Sequence, residues 1–243
     1  MNLIIDVGNT FVKLAVFKGN KLMNKTSVGL NSVIAEIKQL KGNFPGLKRT
    51  IVSSVGRLND EDVDTIVEIF DLLLLNSKTK LPFTNLYKTP KTLGVDRMAL
   101  VSASVNQFPE NNVLVIDAGT CITYDFINAK NEYLGGAISP GLRMRYKSLN
   151  NLTANLPLLE TEAPKNITGT STEQSIHSGV VNGIVNEIDG AIATYKLKYP
   201  DLTVILTGGD AKFLSKQLKS SIFANPNFLL EGLNYILQFN LNE

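Results

Sequence analysis

The chain has a single cysteine and a single histidine among its 243 residues. One cysteine excludes an intrachain disulfide, and a reducing compartment is consistent with it. The one histidine, His177, has no second ligand type clustered with it, so it reads as a packing or interface residue rather than a metal ligand. An excess of one charge is missing too. The 24 basic and 22 acidic residues leave a net charge of +2, which gives no electrostatic case for nucleic acid or a membrane surface as partner. No apolar run approaches the roughly 20 residues that a bilayer-spanning helix needs. No basic stretch with a cleavable apolar segment precedes the first strand-like run, so a cytoplasmic location is expected. The remainder, 44% hydrophobic and 19% charged, is the composition of a soluble globular protein. The length suits one large or two modest domains.

Residues 3 to 17 read Leu-Ile-Ile-Asp-Val-Gly-Asn-Thr-Phe-Val-Lys-Leu-Ala-Val-Phe. The apolar run Leu3-Ile4-Ile5 is short and β-branched enough for a buried strand. It stops at Asp6, passes through Gly8, Asn9 and Thr10, and resumes from Phe11 to Phe17 with Lys13 interrupting. This predicts a β-hairpin with a tight polar turn. Such a turn is compatible with an ordinary hairpin. It is equally a place where backbone N–H groups and the Thr10 hydroxyl can hold phosphate oxygens. Gly8 permits close approach, Asp6 can hold a divalent cation directly or through water, and Lys13 adds a positive charge.

The pattern is written twice. Residues 113 to 127 read Val-Leu-Val-Ile-Asp-Ala-Gly-Thr-Cys-Ile-Thr-Tyr-Asp-Phe-Ile, with Asp117, Gly119 and Thr120 in the places of the first set. A repeat at this spacing predicts two similar domains, 1–112 and 113–243, facing each other. Cys121 reads as a small core residue.

Between these turns the spacing predicts a third antiparallel strand over 21–27 after the turn Gly19-Asn20, a helix over 32–40 and a strand over 49–55. Asn59 is the expected cap of a helix from about 60 to 70, with Val63, Ile66, Val67 and Phe70 facing inward. Pro90 and Gly94 mark a loop, and an apolar helix follows with Asp96 near its start. Asp96 there can simply cap the helix and complement its dipole. Further on, Gly135-Gly136 suggests close approach of backbone to a ligand or a neighbouring helix, and Pro140-Gly141 a turn. Arg143, Arg145 and Lys147 lie on the helix expected from 142 to 149, with Arg145 and Lys147 reading as a solvated face. Residues 150–168 read as a partly mobile connection. Thr172 is the expected cap of a long helix to about Lys196, with an inward strip Ile176, Val180, Ile184, Ile188, Ile192 and with Gly179 and Gly183 allowing close packing. A strand over 203–206 ends in Gly208-Gly209, which is either a plain strand-to-helix turn or a place for a flat ligand against the backbone. The apolar helix over 228–239 is expected to pack on the second domain.

Taken together, these stretches resemble the actin, Hsp70 and sugar-kinase superfamily, and within it the type III pantothenate kinases. The resemblance rests on Asp6-Val7-Gly8-Asn9-Thr10 with Lys13, on Gly94-Val95-Asp96-Arg97 following Tyr87, on Asp117-Ala118-Gly119-Thr120, on Gly135-Gly136 to Gly141, and on Ser171-Thr172 before Ser175 and Gly179. It implies an α/β fold of two similar RNase H-like (actin-like ATPase) domains, each a mixed sheet with flanking helices, with the active site in the cleft between them. It implies transfer of the γ-phosphoryl of ATP to pantothenate, the first step toward coenzyme A. Asp6 (through Mg²⁺ and water), Val7, Gly8, Asn9, Thr10, Lys13, Gly119, Thr120, Gly208 and Gly209 would then bind ATP and its phosphates. Tyr87, Gly94, Val95, Asp96, Arg97 and Thr172 would bind the substrate, with Asp96 as the base. Asp117 would hold a monovalent cation, K⁺ or ammonium. The resemblance also implies a homodimer with the pocket built at the subunit contact, for which the helix 172–196 is the candidate. The alternatives are another small-substrate kinase of the superfamily and a non-enzymatic transcriptional accessory protein on the same fold. The latter predicts lost catalytic positions or a basic face. Asp6, Asp96 and Asp117 are all present, and the charge is balanced.

Overall fold

The computed structural model describes residues 1–8, 11–53 and 58–241. The chain divides into two compact units. One is Met1–Pro109 together with the chain from Asn227 onward, and the other is Glu110–Pro226.

The first unit opens with three antiparallel strands, β1 (Asn2–Val7), β2 (Val12–Lys18) and β3 (Lys21–Val28). Gly19, at φ 58°, makes the turn into β3. Helix α1 (Val33–Asn43), strand β4 (Arg49–Val52), helix α2 (Asp60–Ile69) and strand β5 (Asp71–Leu74) follow. The sheet order is β3-β2-β1-β4-β5, with β4 parallel to both β1 and β5. Leu3, Ile4 and Ile5 of β1 are buried on both faces of the sheet, so they read as an unbroken apolar run. Leu3 and Ile5 point to one side, where they meet Val33, Ile37 and Leu40 of α1 and Ile66 of α2. Asn59 caps α2 as expected, its Oδ1 accepting from Asp62 N at 2.7 Å. Val67, expected inward, is exposed instead. The apolar arc of α2 is narrower than the spacing suggested. After the short strand β6 (Thr84–Asn85) comes α3 (Val95–Gln107).

The second unit repeats the plan. Strands β7 (Val113–Ala118), β8 (Cys121–Ile127) and β9 (Glu132–Pro140) are antiparallel neighbours. Helix α4 (Leu142–Asn151) follows, then a continuous helical run of α5 (Thr172–His177), a π-helical turn over Ser178–Asn182 and α6 (Gly183–Lys198). Strand β10 (Thr203–Thr207), helix α7 (Ala211–Leu214) and the short strand β11 (Phe223–Ala224) complete the unit. Within it the strand order is β9-β8-β7-β10-β11, with β10 parallel to β7 and to β11. This is the arrangement of the first sheet, strand for strand. The strip Ile176, Val180, Ile184, Ile188, Ile192 is buried against Leu114, Ile116 and Phe126.

Several expectations change here. Gly135 and Gly136 lie inside β9, and a Cβ on Gly136 would sit 1.5 Å from Tyr124 O on β8. The close approach is to a neighbouring strand, not to a ligand or helix. Beside Gly179 there is open space, and beside Gly183 only the Arg145 guanidinium at 4.0 Å, so these two glycines make no close helix contact within the unit. Cys121 is only partly buried. The connection expected over 150–168 begins inside α4, has no regular element beyond Asn151 and is pinned: Asn150 Nδ2 donates to Leu156 O and Arg143 to Leu159 O, each at 2.7 Å.

The chain then returns to the first unit as α8 (Phe228–Phe239). This corrects the expected placement of the C-terminal helix on the second half. Leu230, Leu233, Ile236 and Leu237 join Ile4, Ala15, Phe17 and Ile51 on the second face of the first sheet. Gly232 is what lets α8 lie on α3: a Cβ there would fall 1.9 Å from Ala99 O. The buried Asn234 accepts from Asn2 Nδ2 at 2.9 Å and donates to Gly19 O at 3.0 Å.

Candidate active site

Asp6 sits near the end of β1, directly opposite Lys13 on β2. Lys13 Nζ lies 3.4 Å from its Oδ2. Ser53, just past β4, donates its Oγ to Asp6 Oδ1 at 2.9 Å, while its own N–H donates to Ile5 O at 3.0 Å. The carboxylate is thus held from both sides yet keeps a small opening, its side chain being 13% exposed. Gly8 N donates to Phe11 O at 3.1 Å and closes the turn. Asn9 and Thr10 fall outside the described residues. The Val7 side chain belongs to the core, so only its backbone is available to a nucleotide. Among the described residues no three acidic, histidine or cysteine side chains cluster as an all-protein metal cage would require. Magnesium held by one carboxylate, waters and nucleotide phosphates needs no such cage, so Asp6 fits that role.

The substrate candidates of the first unit gather at the start of α3. Gly94 is its N-cap, Val95 and Asp96 lie in its first turn, and Asp96 is exposed. The Asp96 carboxylate folds back over the turn: a Cβ on Gly94 would lie 2.3 Å from its Oδ1. A negative group is favoured at this helix end, and Gly94 keeps the space for it. The buried Arg97 places its guanidinium 5.5 Å from the Tyr87 ring centroid, within cation–π range.

In the second unit the ends of β7 and β10 bring Asp117, Gly119, Thr120, Gly208 and Gly209 together. Gly208 has φ 96°, and a Cβ there would lie 2.3 Å from Ala118 O and 2.4 Å from Asp117 Oδ1. Only glycine meets both demands. Gly209 faces open space, as a turn that receives a ligand must. The 119–120 turn is braced from behind, with Gly141 N donating to Thr120 O at 3.1 Å. Asp210 follows these glycines, and burial pushes its carboxyl above the usual range.

Thr172 lies at the first position of α5. The cap is Ser171, whose Oγ accepts from Gln174 N at 3.2 Å. This corrects the expected cap by one residue and frees the exposed Thr172 side chain. It opens on a cavity of about 920 Å³ lined also by Arg145, Leu149, Gly169, Ser175 and Gly179. His177 makes the packing contact expected of it, its Nδ1 2.8 Å from Tyr146 Oη.

Four side chains beside these candidates carry no site role in the sequence alone. Ser53 and Asp210 are described above. Arg145, expected on a solvated face, instead donates to Pro140 O at 2.9 Å, to Ser139 Oγ at 3.1 Å and to Glu187 Oε2. Glu187 is the fourth, and it also accepts from Tyr124 Oη at 2.8 Å. Burial opposes its charge, but the hydrogen bonds from Arg145, Ser139 and Tyr124 outweigh that and hold its carboxyl below the usual range. Burial first, and then the Glu187 carboxylate, push the Tyr124 phenol up. This network ties α4 to β8, β9 and α6 behind the 119–120 turn. Lys147 is exposed, as expected.

The fold is that of the actin-like and sugar-kinase ATPases. A solved structure from Campylobacter jejuni, ascribed to a Baf family of transcriptional activators, superposes with a TM-score of 0.67 at 22% identity, covering 99% of this chain and 100% of that one. A glucokinase from an Antarctic psychrotroph superposes with a TM-score of 0.52 at 12% identity, covering 98% of each. The chain belongs to the type III pantothenate kinase family, whose family model matches residues 2–194. A type III pantothenate kinase of Christiangramia forsetii is 52% identical over 99% of each chain. One of Flavobacterium johnsoniae is 48% identical over 100% of this chain and 99% of its own.

Proposed function

We propose that this protein phosphorylates the primary hydroxyl of pantothenate with ATP and so opens coenzyme A biosynthesis. The observation that carries the reading is full-length kinship with type III pantothenate kinases in a chain that retains Asp6, Asp96 and Asp117. Phosphoryl transfer asks the protein mainly to position the reactants and neutralise charge. Asp6, oriented by Ser53, would hold Mg²⁺ at the phosphate end of the nucleotide, and Lys13 adds positive charge beside it. Gly8 and the Gly119-Thr120 turn offer backbone and hydroxyl donors to phosphate oxygens, and Asn9 and Thr10 are assigned to the same task on sequence alone. Gly208-Gly209 gives the adenosine a flat seat. When bound, Mg²⁺ supplies charge neutralisation at the transferring group.

Asp96, exposed at the start of a helix, accepts the proton of the attacking hydroxyl. Gly94, Val95, Arg97 and Tyr87 shape the substrate segment around it, and Thr172 adds a hydroxyl. Asp117 holds a monovalent cation, K⁺ or ammonium. The working form is a cytoplasmic homodimer with the helical run from Thr172 at the contact. The open space beside Gly179 and the exposed Leu197 on α6 support that face. Transcriptional activation is ascribed to the Campylobacter jejuni relative. The balanced charge of this chain and its three retained carboxylates favour the kinase.

The test is ADP release from ATP, Mg²⁺ and pantothenate, in K⁺ and in Na⁺, with Asp96→Asn alongside. Pantothenate-dependent turnover that needs K⁺ and disappears in Asp96→Asn is the expected result. Turnover surviving in Asp96→Asn would remove that residue as base, and no turnover with pantothenate in any cation would overturn the substrate.

A further inference from the structure

The two units share one strand order, so the residues opposite their two carboxylates can be compared position by position. Asp6 is the fifth residue of β1 and Asp117 the fifth of β7. Opposite Asp6 on the neighbouring antiparallel strand stands Lys13; opposite Asp117 stands Thr123. Directly opposed residues of an antiparallel pair project from the same face with Cβ atoms about 5 Å apart. The place that an ammonium group fills beside Asp6 is therefore bordered, beside Asp117, by a hydroxyl.

That hydroxyl is unusual. Thr123 Oγ1 is buried and has no hydrogen-bond partner among the described residues. Buried polar atoms are nearly always satisfied, and an exception asks for a water or an ion. A hydroxyl oxygen carries two lone pairs and suits a hard, oxygen-seeking cation. The Asp117 carboxylate meanwhile has one oxygen turned toward Gly208, whose missing Cβ leaves it room. The register thus sets a carboxylate and a neutral hydroxyl on the same face of neighbouring strands.

We propose that Thr123 Oγ1 is a ligand of the monovalent cation at Asp117, and that this cation stands where Lys13 Nζ stands in the first unit. The inference rests on the kinase reading above, which supplies the cation. It predicts that K⁺ and ammonium serve alike: ammonium has the head group of a lysine and donates to oxygen atoms, and K⁺ is coordinated by them. It also predicts that a tethered ammonium replaces the free ion.

The test compares wild type, Thr123→Val, Thr123→Lys and Asp117→Asn in KCl, NH₄Cl and NaCl at equal ionic strength. Melting temperature against cation concentration is read first, and ADP release second. Wild type is expected to gain stability with K⁺ and ammonium but not Na⁺, since a ligand of the native state stabilises it by mass action. Thr123→Val should melt no lower than wild type in Na⁺, because no protein hydrogen bond is lost. Its K⁺ midpoint should rise by about tenfold or more, the scale of losing a group that sets a metal site. Thr123→Lys, if folded, should no longer respond to K⁺; if it does not fold, Thr123→Val alone decides. A Thr123→Val midpoint equal to wild type overturns the inference, as does a loss of stability that is the same in every salt. A wild type indifferent to K⁺ and ammonium would instead sink the cation reading itself, and Asp117→Asn separates the two by abolishing the response only if that reading holds.

Discussion

Ser53→Ala is the substitution that most directly probes how Asp6 is aimed. Ser53 is buried, and its Oγ donates to Asp6 Oδ1 at 2.9 Å. A hydrogen bond to a charged group contributes about 1.5–3 kcal/mol. Asp6 keeps a little exposure, so water can partly replace the lost donor, which places the stability cost near the lower end, about 1–2 kcal/mol. The effect on metal should be larger. With Ser53 gone, Lys13 at 3.4 Å is the one partner of the carboxylate left among the described residues, and the carboxylate turns toward that ammonium. Groups that orient a metal-facing carboxylate typically cost 10–100-fold in metal affinity when removed. Thr50→Val is the matched control. Thr50 lies on β4, three residues before Ser53, is fully buried, and donates its Oγ1 to Leu3 O at 2.9 Å, so its loss costs about 1 kcal/mol without touching Asp6. Calorimetric titration with a non-hydrolysable ATP analogue, with and without Mg²⁺, separates the cases. Ser53→Ala should weaken the Mg²⁺-dependent part of binding about tenfold or more, and Thr50→Val should leave it alone. Equal Mg²⁺ dependence in the two variants would refute the reasoning, because it would show that Ser53 merely packs.

Two further outcomes follow from the second unit. Gly208→Ala must leave its φ of 96° or drive a Cβ to 2.3 Å from Ala118 O. Backbone strain of this kind and overpacking each cost about 1–3 kcal/mol, so urea unfolding should show a loss of about 2–4 kcal/mol and nucleotide binding should weaken as the turn shifts. Glu187 has its folded pKa below the ordinary 4.5. Its contribution is therefore fully present above pH 4.5 and is lost as pH falls through the lowered folded value. Glu187→Gln should be less stable than wild type at pH 7 and should lose less on acidification below pH 4.5, as read by unfolding at a series of pH values.

Much of the site was legible because each motif is contiguous. Asp6 and Asp117 are announced by the apolar strand that precedes each and the glycine turn that follows. Ser53, Arg145 and Glu187 were not, because each acts across strands or helices on a partner distant in sequence: Ser53 is 47 residues from Asp6, and Arg145 is 42 from Glu187. A basic residue on a helix of mixed polarity looks the same in sequence whether it meets water or a carboxylate. The C-terminal helix shows the same limit for the fold. Its stripe at 230, 233, 236 and 237 declares a buried face but not the sheet that buries it. One sign was present: Gly232 inside an otherwise apolar helical pattern, a position that usually has a packing reason. The structure supplies that reason in the backbone of α3.

The repeat itself carries the last step. When a strand, a carboxylate and a glycine turn occur twice with the same sheet order, the shared parts answer shared demands and the differences mark divided labour. Each carboxylate is the last residue but one of its strand, and both sheets put a parallel strand on one side of it and a hairpin on the other. The differences lie in what surrounds each carboxylate. Asp6 has a lysine opposite and a serine behind it, a fixed arrangement in which counter-charge is built into the chain. Asp117 has a threonine opposite and a glycine beside it, an arrangement that leaves space and offers neutral oxygen. Under the proposed cation at Asp117, the counter-charge of the first unit is carried by the chain, whereas that of the second is borrowed from solvent and answers to its salt. Exchanging the two residues, Lys13→Thr with Thr123→Lys, would therefore move the salt response from the second unit to the first rather than abolish it, if the two positions are equivalent in the way their register indicates.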